Sequence, residues 1–336
     1  MRSEHLDYLD GWRGLAIGLL LIGHYFPYPG INFGSVGVKL FFVLSGLLMA
    51  RILFVQEVEI GTFYRRRIAR IIPAVYFFLF AVVAAVSLLR REINWNELLS
   101  AALFVNNYFP GELGHAVMPF GHIWSLSVEE HSYILLSLVA VLARRRKVGA
   151  KTAIGACAAI FALCGIYYWT QYSNRELIGH WLHSEVSAFG IFASAFLTLH
   201  FHGRRLTPLP LLAYPALLLA GLATQWWSAP LPVQTFVGGC IFALLVNLLP
   251  SAPAAVQSLL ASKWLRMLGL WSYSIYLWQQ IYYMYGSGGP LSQLGGMLVS
   301  IAAGVCSYYL LEKPARAYLN RKWQDSRPRL NPLAEK

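Results

Sequence analysis

Arg13 and His24 stand eleven residues apart in the first long apolar run of the chain. On an α-helix that spacing is about 1100°, roughly 20° past three full turns, so both lie on one face, roughly 16 Å apart along the axis. Ionisable groups inside an apolar span usually face a cavity or a pathway. An imidazole placed there can take a proton from a hydroxyl near neutral pH, which makes His24 the candidate general base. The plainer readings are that Arg13 snorkels to the nearer interface, pairing with Asp10 one turn earlier, and that His24 caps the far end of the span. A second polar set lies in His122-Ile123-Trp124-Ser125-Leu126-Ser127-Val128-Glu129-Glu130-His131-Ser132-Tyr133. His122, Ser125, Glu129 and Tyr133 recur at helical spacing and form one stripe, while Glu130 is turned about 100° from Glu129 and faces a different surface. The stripe predicts a His24–Glu129 pair across two helices, with a hydrogen-bonded packing stripe as the alternative. A third set, Arg65, Arg66, Arg67 and Arg70, sits just before the third apolar run. Arg67 and Arg70, at i and i+3, can clamp one polyanion; membrane topology and anionic lipid headgroups also account for such a cluster. Lys39, near the end of the second run, reads as a snorkelling side chain.

These groups must be held by membrane spans. Of the 336 residues, 57% belong to the AVILMFWYC set and 12% are charged, against about 45–50% and about 25% in soluble domains, which excludes an ordinary cytosolic enzyme. Apolar runs near the length needed to cross a bilayer fall at 12–28, 35–54, 71–89, 122–143, 151–170, 181–201, 209–227, 232–250, 267–286 and 291–311. The fold class expected is all-α, a polytopic helical membrane bundle of about ten transmembrane helices with both termini cytoplasmic. The first run begins after Asp7 and Asp10 and contains Arg13 and His24, so no cleavable signal peptide is expected. The run 97–109 is short and broken by Asn106 and Asn107, and reads as interfacial or re-entrant. With ten spans the inner side receives most of the 27 basic residues: Arg2, the arginines between 51 and 70, Arg144 to Lys147 with Lys151, Arg204, Arg205, Lys263, Arg266 and the C-terminal group. The outer loops receive Arg90, Arg91 and Arg175. An eleventh crossing would put Arg144 to Lys147 outside, against the positive-inside bias. The net charge of +12 is therefore explained by helix orientation and membrane lipid, with no nucleic-acid partner. Cys157, Cys164, Cys240 and Cys306 lie within apolar runs without metal-ligand spacing and read as small buried hydrophobes; no metal site is expected.

The stretches carrying these residues are Leu9-Asp10-Gly11-Trp12-Arg13-Gly14 with His24, Gly37-Val38-Lys39-Leu40-Phe41-Phe42-Val43-Leu44-Ser45-Gly46, Tyr64 to Pro73, His122 to Tyr133, Ser272-Tyr273-Ser274-Ile275-Tyr276-Leu277-Trp278 and Glu312-Lys313-Pro314-Ala315-Arg316. In this order they resemble membrane acyltransferase family 3, of the polysaccharide O-acetyltransferase type, from about residue 6 to residue 316. The resemblance implies a membrane acyltransferase domain over 1–316, followed by a basic, frayed cytoplasmic tail over 317–336, in the stand-alone form without an appended periplasmic hydrolase-like domain. It implies transfer of an acyl group, commonly acetyl, from cytoplasmic acyl-CoA to a hydroxyl of a saccharide or other cell-envelope acceptor, in a bacterial inner membrane. Acyl-CoA is then a co-substrate, with no bound cofactor. The functional pair of the family matches Arg13 and His24, its glutamate Glu129, and its paired arginines Arg67 and Arg70, with Arg66 beside them on the donor side. Asp10, Lys39, Ser45, His122, Trp124, Ser125, Glu130, Tyr133, Tyr273 and Tyr276 are the candidate lining of the acceptor site. Where the family often has histidine after the Tyr-Leu-Trp of its ninth span, this chain has Gln279.

Two other classes compete. A multi-span transporter or flippase of an envelope precursor uses intramembrane Arg, His and Glu in the same way, but the inverted repeats common in transporters are not visible. A scaffold that binds a lipid-linked saccharide would use the 11 Trp and 19 Tyr residues as stacking surfaces, although interfacial aromatic belts give the same composition.

Overall fold

The computed structural model describes residues 6–109, 118–286 and 288–325. Arg2 and the basic tail beyond residue 325 lie outside the described residues, as does the side chain of Arg175. The chain forms fifteen α-helices among the described residues. In order they are α1 (Asp7–Tyr25), α2 (Phe33–Ala50), α3 (Ile60–Leu88), α4 (Trp95–Ala102), α5 (Trp124–Arg144), α6 (Ala150–Gln171), α7 (Asn174–Trp181), α8 (Ser184–Ser187), α9 (Phe189–Phe201), α10 (Ala213–Ala223), α11 (Gly238–Leu248), α12 (Ala254–Leu260), α13 (Lys263–Tyr285), α14 (Pro290–Ser307) and α15 (Lys313–Asp325). Five-residue π-helical turns extend α2 through Arg51–Val55, lead into α11 through Val233–Val237 and join α14 to α15 through Tyr308–Glu312. Among the described residues the only extended pairing is a single bridge between Ile31 and Trp226.

Among the described residues, seven helical segments are long and apolar enough to cross a membrane: Phe33–Val55, Ile60–Leu88, Gly121–Arg144, Ala150–Gln171, Ser184–Phe201, Val233–Ser251 and Pro290–Trp323. The other three expected spans are helical but differ in kind. α10 has only 11 residues. α1 carries Asp7, Asp10 and Arg13, and α13 carries Lys263, Arg266, Gln279 and Gln280. These two polar helices pack against each other, and α1 also packs on α2. Their polarity follows from that position, because a helix enclosed by other helices can keep polar groups that lipid would not tolerate. α6 is the opposite case: it leaves Ile160, Leu163, Ile166 and Tyr167 exposed, as a helix facing hydrocarbon does. The run 97–109 forms the eight-residue α4 and a short turn at Asn106–Tyr108. About 12 Å of helix cannot cross a bilayer.

The structure corrects three readings of the chain's elements. α3 begins at Ile60, eleven residues before the apolar run, so the arginine cluster lies inside the helix. Residues 317–325 of the expected tail are helical, within α15, which packs against α3. Of the four cysteines, Cys240 and Cys306 are exposed rather than buried.

Backbone contact sets the spacing at the centre. A Cβ built on Gly14 would lie 2.0 Å from the carbonyl oxygen of Leu265, and one on Gly269 would lie 1.8 Å from that of Asp10. Only glycine lets α1 and α13 approach this closely, as small residues do at helix crossings in membranes. Trp12 Nε1 donates to the carbonyl of Leu40 at 3.0 Å and fixes α1 on α2. At the far end of α5, Arg144 donates to the carbonyls of Leu53 and Val58, both at 2.9 Å, and ties that helix to the α2–α3 connection. Gly269→Leu should therefore abolish a monodisperse, cooperatively unfolding species in detergent. Gly18→Leu, where nothing lies within 4 Å, should unfold within a few degrees of the unaltered protein. Equal thermal midpoints for the two variants would show that the α1–α13 contact is dispensable.

Candidate active site

α1, α2, α3, α5 and α13 enclose a cavity of about 790 Å³, its open mouth included. Arg13 of α1, Ser45 of α2, Arg67 and Arg70 of α3, Ser125, Glu129 and Tyr133 of α5, and Ser272, Tyr273 and Tyr276 of α13 supply its polar lining; Phe41, Phe42 and Met49 supply part of the apolar wall. Glu129 is its best-connected acid. Its Oε1 accepts from Ser45 Oγ at 2.8 Å and its Oε2 from Tyr133 Oη at 2.8 Å. Arg67 Nη2 lies 3.5 Å from Glu129 Oε2, and Arg67 Nε donates to Glu130 Oε1 at 3.0 Å. The same guanidinium stacks over the Tyr133 ring, 3.2 Å from its centroid. Arg13 Nη1 donates to Asp10 Oδ1 at 2.7 Å. Arg70 lines the cavity without a hydrogen bond or ion pair among the described residues, in the combined field of Arg13, Arg316 and Glu312. Tyr273 Oη donates to the carbonyl of Ile71 at 3.0 Å, closing α13 onto α3.

His24 belongs to a different cavity. It lines a recess of about 510 Å³ near the other end of α1, with Tyr25, Pro27, Tyr282, Tyr283, Ser292 and Gln293. Its ring stacks on Tyr283, with centroids 4.4 Å apart and planes at 19°. His24 Nδ1 is 2.8 Å from Gln279 Oε1. An amide oxygen can only accept, so this contact assigns the proton to Nδ1 and leaves Nε2 with a free lone pair. Gln279 is buried, and its carbonyl accepts from Tyr25 Oη at 2.9 Å, so the partner of His24 is itself held.

This arrangement overturns several expected placements. Glu129 does not pair with His24; it is bound to Arg67, Ser45 and Tyr133. Glu130 is turned from Glu129 as expected and does not line the cavity; it faces α3, where its Oε1 accepts from Arg67 Nε, so one guanidinium links the two carboxylates. Arg67 and Arg70 do not form a free two-arginine clamp, since the acids of α5 already engage Arg67. Arg66 is exposed and lies outside the cavity lining. Lys39 does not snorkel; its Nζ donates to Oε1 of the buried Gln225, which the α10–α11 connection supplies. His122 and Trp124 flank the cavity without lining it. His122 is buried between Phe78 and Tyr276, and Trp124 packs edge-on against Phe42. Asp10 pairs with Arg13, as expected, and is not part of the cavity lining.

Two functional-looking residues had weak sequence signals. Gln279 was visible only as a departure from the family pattern. Glu312 lay in a recognised motif with no role attached; it is buried in the π-helical turn after α14, and its Oε2 accepts from Ser274 Oγ at 2.7 Å. Among the described residues no group of three His, Cys, Asp or Glu is placed to hold a metal ion.

The bundle thus holds two recesses, one lined by Arg13, Arg67 and Arg70 and the other holding His24. Comparison with known proteins gives the class. The acyltransferase-domain model of family 3 matches residues 6–311, and the chain belongs to that family of membrane acyltransferases. YrhL of Bacillus subtilis is 26% identical, over 94% of this chain and 56% of its own length. The peptidoglycan O-acetyltransferase OatA of Listeria monocytogenes is 26% identical, over 82% of this chain and 49% of its own. The O-acetyltransferase OatA of Staphylococcus aureus is 31% identical, over 40% of this chain and 25% of its own. The chain spans about half the length of YrhL and of the Listeria protein. No solved structure matches it.

The Arg67 contacts generate a test of their own. Removing one partner of a buried ion pair typically costs about 3–5 kcal/mol. Arg67→Ala should lower the thermal midpoint by well over the effect of Arg66→Ala, and Arg67→Lys should recover little, because an ammonium cannot reach both carboxylates and stack on Tyr133 at once. A midpoint for Arg67→Lys equal to that of the unaltered protein would show that only the charge counts.

Proposed function

We propose that the chain is an integral membrane O-acetyltransferase that takes acetyl from acetyl-CoA on the cytoplasmic side and transfers it to a saccharide hydroxyl on the opposite side. The observation that carries this reading is the His24 Nδ1–Gln279 Oε1 contact at 2.8 Å, which readies Nε2 to accept a proton within a recess separate from the arginine-lined cavity. The recess and the cavity lie toward opposite ends of α1, as a donor and an acceptor arriving from opposite faces require. In this reading α1, α10 and α13 cross the bilayer with the seven apolar segments, and both ends of the chain are cytoplasmic, in agreement with the charge bias of the loops. The membrane is a bacterial inner membrane. The names of the Listeria and Staphylococcus relatives support acetyl as the acyl group, and that of the Listeria protein supports peptidoglycan as the acceptor.

The residues divide the work. Arg70 and Arg13, with Arg316 close in charge, face the phosphates of the donor; Arg67 does not, because Glu129 and Glu130 already neutralise it. The pantetheine arm runs along the apolar wall made by Phe41, Phe42 and Met49. Tyr283, stacked on His24, offers an aromatic face to a sugar ring. The hydroxyl oxygen attacks the thioester carbonyl carbon as His24 Nε2 takes its proton. Collapse of the tetrahedral intermediate breaks the C–S bond, and the proton leaves with the CoA thiol. No observation favours the transporter reading over this one.

Purified protein in vesicles, supplied with labelled acetyl-CoA and soluble peptidoglycan fragments, should label the fragments. His24→Ala should cut that rate by about 10²–10⁴ at unchanged abundance, the range of a general base. Gln279→Leu should slow it less, by releasing the ring and its tautomer. Transfer at the unaltered rate by His24→Ala would remove the histidine from the chemistry.

A further inference from the structure

His122 lies beside both cavities and lines neither. It sits in the turn Gly121–Ile123 that opens α5, and is 5% exposed. Its carbonyl accepts from Tyr276 Oη at 2.5 Å, and that hydroxyl also meets Ser125 Oγ at 2.6 Å. Tyr276 and Ser125 line the arginine cavity, so the donor side holds His122 in place. Its ring packs edge-on against Phe78, with centroids 5.6 Å apart, and tilted against Tyr276 at 5.1 Å. On the other side His24 is near enough for a charge on it to act on His122. Neither ring nitrogen of His122 has a hydrogen-bond partner among the described residues; the carbonyl of Leu277 lies close by without completing a bond.

That combination is unusual. An imidazole always carries at least one N–H, and buried donors in native folds are almost always paired. Of the polar groups around it, Ser125 is bonded to Tyr276, Tyr25 to Gln279 and Ser300, and His24 to Gln279; the indole N–H of Trp278, packed on the same Phe78 ring, is buried and unpaired as well. His122 differs from Trp278 in its neighbours: Tyr276, which lines the cavity of the proposed donor, touches it, and His24, the proposed base, is near it. An acyl carbonyl oxygen is an acceptor, and it gains negative charge as the acceptor hydroxyl adds to the carbon. Walls of Phe78 and Tyr276 keep competing water from the donor and raise the value of a hydrogen bond formed there.

We propose that His122 is a catalytic residue of the transfer step, donating a ring N–H to the thioester carbonyl oxygen as it becomes the oxyanion. This rests on the acetyltransferase reading above. As the acceptor oxygen bonds to the carbonyl carbon, the carbonyl π pair moves onto oxygen and meets the His122 N–H. When the pair returns and the C–S bond breaks, the donor has only to release a neutral ester. His24 takes the hydroxyl proton and passes it to the thiol, and His122 neither gains nor loses one. The two histidines thus divide base and oxyanion work, and Tyr276 holds the backbone of one while Gln279 orients the ring of the other.

The test uses the full chain in phospholipid vesicles, acetyl-CoA, and soluble peptidoglycan fragments, with thiol release and fragment labelling both measured. His122→Gln keeps an N–H donor, whereas His122→Phe keeps the ring and removes the donor. His122→Leu serves as the donor-less variant should His122→Phe fail to fold. The expected result is a fall in kcat of about 10²–10³ for the donor-less variant with KM for acetyl-CoA unchanged, and a loss for His122→Gln of no more than about tenfold. Equal losses for the Gln and donor-less variants, or a donor-less kcat near that of the unaltered chain, would overturn the assignment. If the unaltered chain turns over no acetyl-CoA, the acetyltransferase reading falls and takes this role with it. If it does and the donor-less variant matches it, only the role of His122 falls.

Discussion

A guanidinium with 13% of its side chain exposed, inside an apolar bundle, has to be neutralised where it stands, and the arrangement around Arg67 does this. Two carboxylates and a tyrosine ring from α5 enclose it, and Ser45 of α2 completes the coordination of Glu129. Three helices are thereby fixed around one charge. The cavity takes its shape from that knot, and its electrostatics too: with Arg67 satisfied, Arg70 is left facing open space without a hydrogen bond or ion pair among the described residues. A polyanion entering the mouth meets an arginine that still needs a partner. The acids that pair with Arg67 thus decide which arginine of the cavity is left without an ion pair among the described residues.

The second constraint is the contact between α1 and α13. Gly14 and Gly269 bring the two backbones together, and both helices then carry polar groups toward each end. Arg13 and Tyr273 line the arginine cavity; further along the pair His24 lines the aromatic recess, held by the buried Gln279. A tight crossing between two cavities suits a reaction whose substrates must meet without opening a leak.

Much of this was legible in the sequence. Arg13, His24, Arg67 and Glu129 stood out because ionisable groups are costly in apolar spans, and of the stripe His122, Ser125, Glu129 and Tyr133 the last three line the cavity while His122 lies behind it. The pairing of His24 with Glu129 failed because helical spacing gives the face a residue occupies but not the depth at which a neighbouring helix presents its own. α3 starts eleven residues before its apolar run, so Arg67 reaches well into the bundle and takes Glu129 first. Lys39 was misread for a related reason: its partner Gln225 is 186 residues away, in a connection that no local pattern marks. Gln279 shows the converse case, a residue noticed for departing from a pattern, whose amide oxygen supports His24 in a way only the three-dimensional contact reveals.

The arginine cavity is proposed to receive the acyl donor with its thioester end directed at Tyr276, behind which His122 stands. The most direct measurement is an experimental structure of the full chain in a lipid nanodisc with an acetyl-CoA analogue whose thioester sulfur is replaced by methylene. The expected density places phosphates at Arg13 and Arg70, the pantetheine arm between α2 and α13, and the acetyl carbonyl against Tyr276 and His122. Density for the nucleotide beside Tyr283 in the His24 recess, with the arginine cavity empty, would contradict it.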